Sequence, residues 1–192
     1  MKAALPRQVR IIGGLWKRSK LPVPDAAGLR PTPDRVRVTL FNWLGQDLSG
    51  WRCLDAFAGS GALGFEAASR GAASVVLVER DARLARGLHE TKARLRADAV
   101  RVDCADALGW LRRCNADAFE LVFIDPPFDA QLWQAALAAA ARVVVPDGFV
   151  YLEADRLYAD AELAPLGLVV RRSARAGAVH FHLLQRTSLA CA

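Results

Sequence analysis

The stretch that decides the fold is CLDAFAGSGALG, Cys53–Gly64. An apolar run ends in an acid, Asp55, and passes through three glycines in the spacing G-x-G-x-x-G, namely Gly59, Gly61 and Gly64. Glycine permits a tight turn and lets a ligand approach the backbone, and a helix is expected to start inside the loop. Working outward, Cys53–Ala58 reads as a strand and Ala62–Ser69 as a helix. SVVLVE (Ser74–Glu79) reads as a buried strand, and Ala82–Arg96 as a helix. A short strand at Val100–Val102, a helix at Ala107–Arg113, the strand FELVFI (Phe119–Ile124) and an Ala-rich helix at Gln131–Arg142 follow. Near-continuous apolar strands alternating with helices predict a parallel sheet covered on both faces.

After the strand Gly148–Glu153 the alternation stops. Leu168–Arg172 and Val179–Gln185 are separated by too few residues for a helical crossover, so they should pair as an antiparallel hairpin. The expected class is therefore α/β: a mostly parallel, Rossmann-like, seven-stranded sheet ending in an antiparallel hairpin. We expect one globular domain overall, with a basic arm or hairpin and the lead into the first helix at 1–37 and the α/β body at 38–192. Within that arm Val9–Ile12, Gly13-Gly14 and Leu15-Trp16 suggest a hairpin turning at the two glycines. Thr32-Pro33-Asp34 suggests a helix start with Thr32 as the cap.

The glycine loop alone does not choose its ligand. Glu79, ending the second sheet strand, suits the ribose hydroxyls of NAD and of S-adenosylmethionine alike. Asp55 separates them. A carboxylate at the strand tip repels a pyrophosphate but attracts the ammonium and sulfonium of S-adenosylmethionine. Asp106, after the third strand, is placed to accept from an adenine amino group, although a helix cap would look the same in sequence.

The most specific signal is Asp125-Pro126-Pro127-Phe128, directly after FELVFI. Two prolines remove two donors and fix a turn, leaving a carboxylate and carbonyls as acceptors. Such a pair matches the two N–H donors of an exocyclic amino group. Phe128 offers a ring on which an unstacked base can lie, worth about 1–3 kcal/mol.

The chain has 192 residues and a net charge of +6. The first 37 residues hold nine Lys or Arg against two Asp, and the rest is close to neutral. That segregation suits contact with a polyanion, with Lys17, Arg18, Lys20 and Arg35 as candidate nucleic-acid contacts. No apolar run is long enough for a membrane span, and no apolar stretch follows Lys2, so a cytoplasmic protein is expected. Four cysteines with no CxxC pair and three histidines give no metal spacing. His180 and His182 share a strand face and read as structural.

Taken together, RIIGGLWKRSKLPVP (Arg10–Pro24), GLRPTPDRVRVTLFNWL (Gly28–Leu44), DAFAGSGALGFEAASRGA (Asp55–Ala72), VERD (Glu79–Asp81), DAL (Asp106–Leu108) and FIDPPF (Phe123–Phe128) resemble the bacterial RsmD-type family. Its members methylate N2 of a guanine in small-subunit (16S) ribosomal RNA. The resemblance implies a class I S-adenosylmethionine-dependent methyltransferase. It implies cofactor contacts from Arg30, Thr32, Asp55, Gly59, Ser60, Gly61, Glu79, Asp106 and Ala107, and base contacts from Asp125, Pro126 and Phe128. It further implies 16S rRNA as partner, free or in a small subunit, and a monomeric enzyme without metal. An N6-adenine methyltransferase would use the same turn, most often with Tyr last. A catalytically dead nucleic-acid-binding module and an NAD oxidoreductase are the other readings; the first leaves the intact carboxylates unexplained and the second the DPPF turn.

Overall fold

The computed structural model describes residues 8–24, 31–126 and 132–187. A two-stranded ribbon of β1 (Gln8–Arg10) and β2 (Lys20–Pro22) leads into α1 (Asp34–Trp43). Then come β3 (Arg52–Asp55), α2 (Ala62–Ser69), β4 (Ser74–Glu79), α3 (Ala82–Leu95), β5 (Val100–Cys104), α4 (Ala107–Arg113) and β6 (Phe119–Ile124). The chain closes with α5 (Trp133–Val143), β7 (Val144–Ala154), α6 (Asp160–Leu163), β8 (Leu168–Ala176) and β9 (Val179–Arg186).

The main sheet runs β5-β4-β3-β6-β7-β9-β8. The first five strands are parallel, and β9 inserts antiparallel between β7 and β8. This is the class I methyltransferase arrangement. Side chains alternate faces along each strand. Leu121 and Phe123 of β6 join one core with α1, α2 and α3, while Val122 and Ile124 join the other with α4 and α5. The sheet reverses its winding at β3, whose neighbours are β4 on one side and β6 on the other. Open α/β sheets bind ligands at that crevice, beyond the carboxyl ends of the strands. No helix among the described residues is long and apolar enough to cross a membrane.

The seven-stranded sheet and terminal hairpin follow the expectation, with local corrections. β3 stops at Asp55, because the chain must leave the ladder to form the glycine loop. α1 is capped at Pro33 with no side-chain bond, so Thr32 lies outside the helix, where its carbonyl accepts from Arg37 Nε (3.3 Å). The arm's strands are joined by residues 11–19, not by a two-residue turn at Gly13-Gly14. Leu15–Arg18 form a turn, with Arg18 at φ +71°. Lys17 and Arg18 are therefore not on alternate faces of an extended strand.

The arm is bound to the core through one carboxylate. Glu66, in the middle of α2, is fully buried. Its oxygens accept from the Ile12 and Gly13 amides, both 2.8 Å, and from Arg37 Nη1 at 3.2 Å and Arg70 Nε at 2.9 Å. Arg37, also fully buried, reaches on to the Arg10 carbonyl (2.8 Å) and Asp34 (2.6 Å). One turn later Ser69 accepts from the Leu15 amide with its carbonyl and from the Trp16 amide with its hydroxyl. Gly14 fits because a side chain there would strike the Ser69 carbonyl at 1.7 Å.

A buried ion pair is worth little net, but removing one partner strands the other, at a cost of about 3–5 kcal/mol. Glu66→Ala also strands two amides. We therefore expect a stability loss of about that size in urea unfolding, with faster proteolysis within residues 8–24 under native conditions. A variant as stable and as protease-resistant as wild type would show that the arm docks by its apolar contacts alone.

Candidate active site at the sheet switch point

The carboxyl ends of β3, β4, β6 and β7 open into a cavity of about 330 Å³. It has two halves. On the glycine-loop side stand Asp55, Gly59, Ser60, Glu79, Asp106 and Ala107, and Thr32 also lines the wall. On the other side stand Asp125, Pro126 and Glu153, walled by Ala176 and Val179 of the terminal hairpin.

The loop's geometry explains its glycines. Gly61 caps α2 with φ +75°, and a side chain there would meet Phe65 and Leu88 at 2.7 Å. Gly61 does not line the cavity; it sets the backbone path. A Cβ on Gly64 would sit 2.1 Å from Leu77, so this glycine lets α2 lie close on β4. The Gly64 amide donates to Asp55 Oδ2 at 3.0 Å. Glu79 holds the loop from the neighbouring strand: Oε2 accepts from the Gly59 amide (2.9 Å) and Oε1 from the Asp81 amide (2.8 Å). Each carboxylate oxygen has two lone pairs, so capacity for a ligand remains. Asp106 does cap α4, accepting from the Gly109 amide at 2.7 Å, and it still stands exposed on the cavity wall.

Burial pushes the Asp55 carboxyl up to about 7; the Gly64 amide opposes this, and the Glu79 and Glu153 charges add to it. A carboxyl so placed gains most from a cation arriving in the cavity.

Three strand-tip acids predicted from sequence thus converge with Thr32, Ser60, Asp125 and Pro126 on one space. Arg30 and Phe128 lie outside the described residues. Lys17, Arg18, Lys20 and Arg35 are exposed and lie away from the cavity wall. Lys17 and Arg18 belong to the turn anchored at the far end of α2, about 12 Å from the loop for eight helical residues. Arg35 stands in the first turn of α1, close behind Thr32.

Two residues were missed. Glu153, buried at the tip of β7, faces the cavity. Tyr151, fully buried behind it, donates its hydroxyl to Glu153 Oε1 at 2.8 Å. Burial, then the Glu153 and Asp125 charges, hold the Tyr151 phenol well above its ordinary range. An acid ending GFVYLE carries the same signal that identified Glu79.

Comparison with known proteins identifies relatives of the whole chain. A family model described as conserved hypothetical protein 95 matches residues 9–185. Ribosomal RNA small subunit methyltransferase D of Escherichia coli (strain K12) is 41% identical over 185 residues, which are 93% of this chain and 90% of that protein. The Haemophilus influenzae protein of the same name is 40% identical over 154 residues, covering 78% and 80%. The solved structure of Escherichia coli yhhF superposes with a TM-score of 0.80 at 38% identity, over 94% of this chain and 98% of that one.

The Asp55 environment has a measurable consequence. In the unfolded chain an aspartate loses its proton near 3.8, and in the fold Asp55 does so near 7. Between those values the fold holds the extra proton, so Asp55 makes stability fall as pH rises, levelling off above about 7. Asp55→Asn keeps the acceptor for Gly64 but cannot ionise. Chemical denaturation at pH 5 and pH 8 should show the variant gaining on wild type at the higher pH, by about 1–3 kcal/mol. Identical pH slopes would mean that Asp55 ionises normally.

Proposed function

We propose that this chain, which belongs to the RsmD-type family of ribosomal RNA small subunit methyltransferases, uses S-adenosylmethionine to methylate the exocyclic N2 of a guanine in 16S rRNA. The observation that carries the reading is the two-sided cavity. Cation- and donor-seeking carboxylates line one half, and an Asp-Pro acceptor turn lines the other.

The glycine-loop half fits the cofactor feature by feature. The buried Asp55 carboxyl answers the ammonium. Glu79 accepts from the ribose hydroxyls, and Asp106, with the backbone of Ala107, reads the adenine edge. Thr32, Gly59 and Ser60 add wall contacts, Gly61 shapes the loop that presents them, and Arg30 is assigned a cofactor contact by its family resemblance. When bound, S-adenosylmethionine supplies an electrophilic methyl group on a positively charged sulfur.

The protein's own contribution is placement. Asp125 accepts an N–H of the target amino group, and a carbonyl of the proline turn accepts the other. Holding both hydrogens in a plane turns the nitrogen lone pair toward the methyl group. As the nitrogen–methyl bond formed and the methyl–sulfur bond broke, leaving a neutral thioether, positive charge would develop on that nitrogen; the Asp125 carboxylate would stabilise it until one N–H proton is lost to solvent. Phe128 stacks on the base, and Pro126 keeps the turn free of competing donors. The exposed Lys17, Arg18, Lys20 and Arg35 hold RNA phosphates without reading sequence. The substrate is 16S rRNA, free or within a small ribosomal subunit, and the enzyme works as a cytoplasmic monomer.

Three measurements test this. Tritiated methyl transfer to 16S rRNA from a strain lacking the gene, followed by nucleoside analysis and mapping, should give N2-methylguanosine at one position. Methyladenosine in its place would overturn the base assignment. Asp125→Ala should lower kcat by about 10²–10³-fold, with cofactor affinity little changed. Near-normal turnover would remove the turn from the chemistry. Changing Lys17, Arg18 and Lys20 together to Ala should weaken RNA binding and flatten its salt dependence, by about 0.7 log units per lost contact on single strands. Parallel salt slopes at equal affinity would move RNA docking elsewhere on the surface.

A further inference from the structure

The acceptor half of the cavity contains a carboxylate to which the reading above assigns nothing. Glu153 ends β7 beside the end of β6: Phe123 pairs with Tyr151 and Ile124 with Leu152. Asp125 and Glu153 are the next residues on the two strands, at neighbouring tips. Both line the cavity, and both charges act on the same Tyr151 phenol. Glu153 is 5% exposed, and the Tyr151 hydroxyl at 2.8 Å fixes the orientation of its carboxylate. It stands across Asp125 from the glycine loop, on the side bounded by Ala176 and Val179.

We infer that Glu153 is a specificity-determining residue, accepting the N1–H of the target guanine next to the N2 group held by Asp125. The inference rests on the guanine-N2 reading and deepens it. Guanine presents N2–H and N1–H side by side on one edge, two donors in a row. Two acceptors at adjacent strand tips match that pattern. Adenine presents a lone pair at N1, which a carboxylate repels, so the same residue rejects adenine. A site built to bond a substrate N–H discriminates strongly against an analogue lacking it, because its buried acceptor is then left facing nothing suitable. Tyr151 acts through Glu153 and is a positioning residue.

The test uses 2-aminopurine, which keeps the exocyclic amino group but has a lone pair at N1. The mapped guanine of 16S rRNA is replaced by 2-aminopurine through ligation of a synthetic oligonucleotide. Initial rates of methyl transfer are then compared on both RNAs for wild type and Glu153→Gln. The glutamine keeps the shape and the Tyr151 contact. Its amide also gives N1 of 2-aminopurine a donor. Wild type should prefer guanine by about 10²-fold or more. Glu153→Gln should lose at least tenfold on guanine and nothing on 2-aminopurine, so the preference collapses. Cofactor affinity, measured by calorimetry, should match wild type and report an intact fold.

An equal loss on both RNAs would overturn the inference, since that is the mark of a purely structural residue. A wild-type enzyme that does not distinguish the two RNAs would overturn it as well. Failure of the guanine-N2 reading shows itself earlier and separately, as the absence of N2-methylguanosine in the mapping experiment.

Discussion

The structure depends on a carboxylate that never touches the cavity. Glu66 sits fully buried in an otherwise apolar helix, where an unpaired charge would be untenable. Its partners come from three directions: the arm amides of Ile12 and Gly13, Arg37 from α1, and Arg70 from the end of its own helix. Satisfying Glu66 therefore forces the arm, α1 and α2 into one arrangement. α2 is the helix that the glycine loop opens into, and α1 follows directly from Thr32 on the cavity wall. The ion cluster thus fixes the loop and the Thr32 wall relative to each other, and it anchors the basic turn to the same rigid unit.

How much of this was legible follows from which relations are local. Strand and helix alternation, the loop and the strand-tip acids are short-range patterns. They located Asp55, Glu79, Asp106 and Asp125, and the cavity gathers all four. Glu153 has the same local signature and was passed over. Its meaning comes from strand order: only the pairing of β6 with β7 sets it beside Asp125, and spacing along the chain does not encode that. The arm turn was misjudged for a related reason. Gly13 and Gly14 resemble a hairpin turn, but their small size serves close approach to Arg70 and Ser69 of α2.

Arg37 shows the limit of counting charge. In sequence it adds to a positive arm. In the fold it lies fully buried between Glu66 and Asp34 and presents nothing to solvent. Its inward direction was readable, since Arg37 lies three and four residues before Leu40 and Phe41 on the buried stripe of α1. Among the described residues of the arm and α1, the exposed cations Arg10, Lys17, Arg18, Lys20 and Arg35 carry charge that a polyanion can meet.

The cavity and the cluster use the same kind of group in opposite ways. Glu66 is given two guanidinium groups and two amides, so it stabilises the fold only as part of a complete set. Asp55 and Glu153 are buried almost as deeply, and each accepts from a neutral donor: the Gly64 amide for one and the Tyr151 phenol for the other. Burial raises the cost of the Asp55 charge, and the Glu79 and Glu153 carboxylates raise it further. A fold optimised only for stability would replace them with apolar or neutral residues. Their persistence beside a glycine loop and an Asp-Pro turn makes sense if the compensating groups arrive with the ligands: a cation beside Asp55 and a base edge rich in N–H donors beside Asp125 and Glu153. On this view the cavity is the part of the molecule shaped for ligands and the Glu66 cluster the part satisfied within the fold. The second supplies the rigidity that lets the first keep its carboxylates pointed at one space.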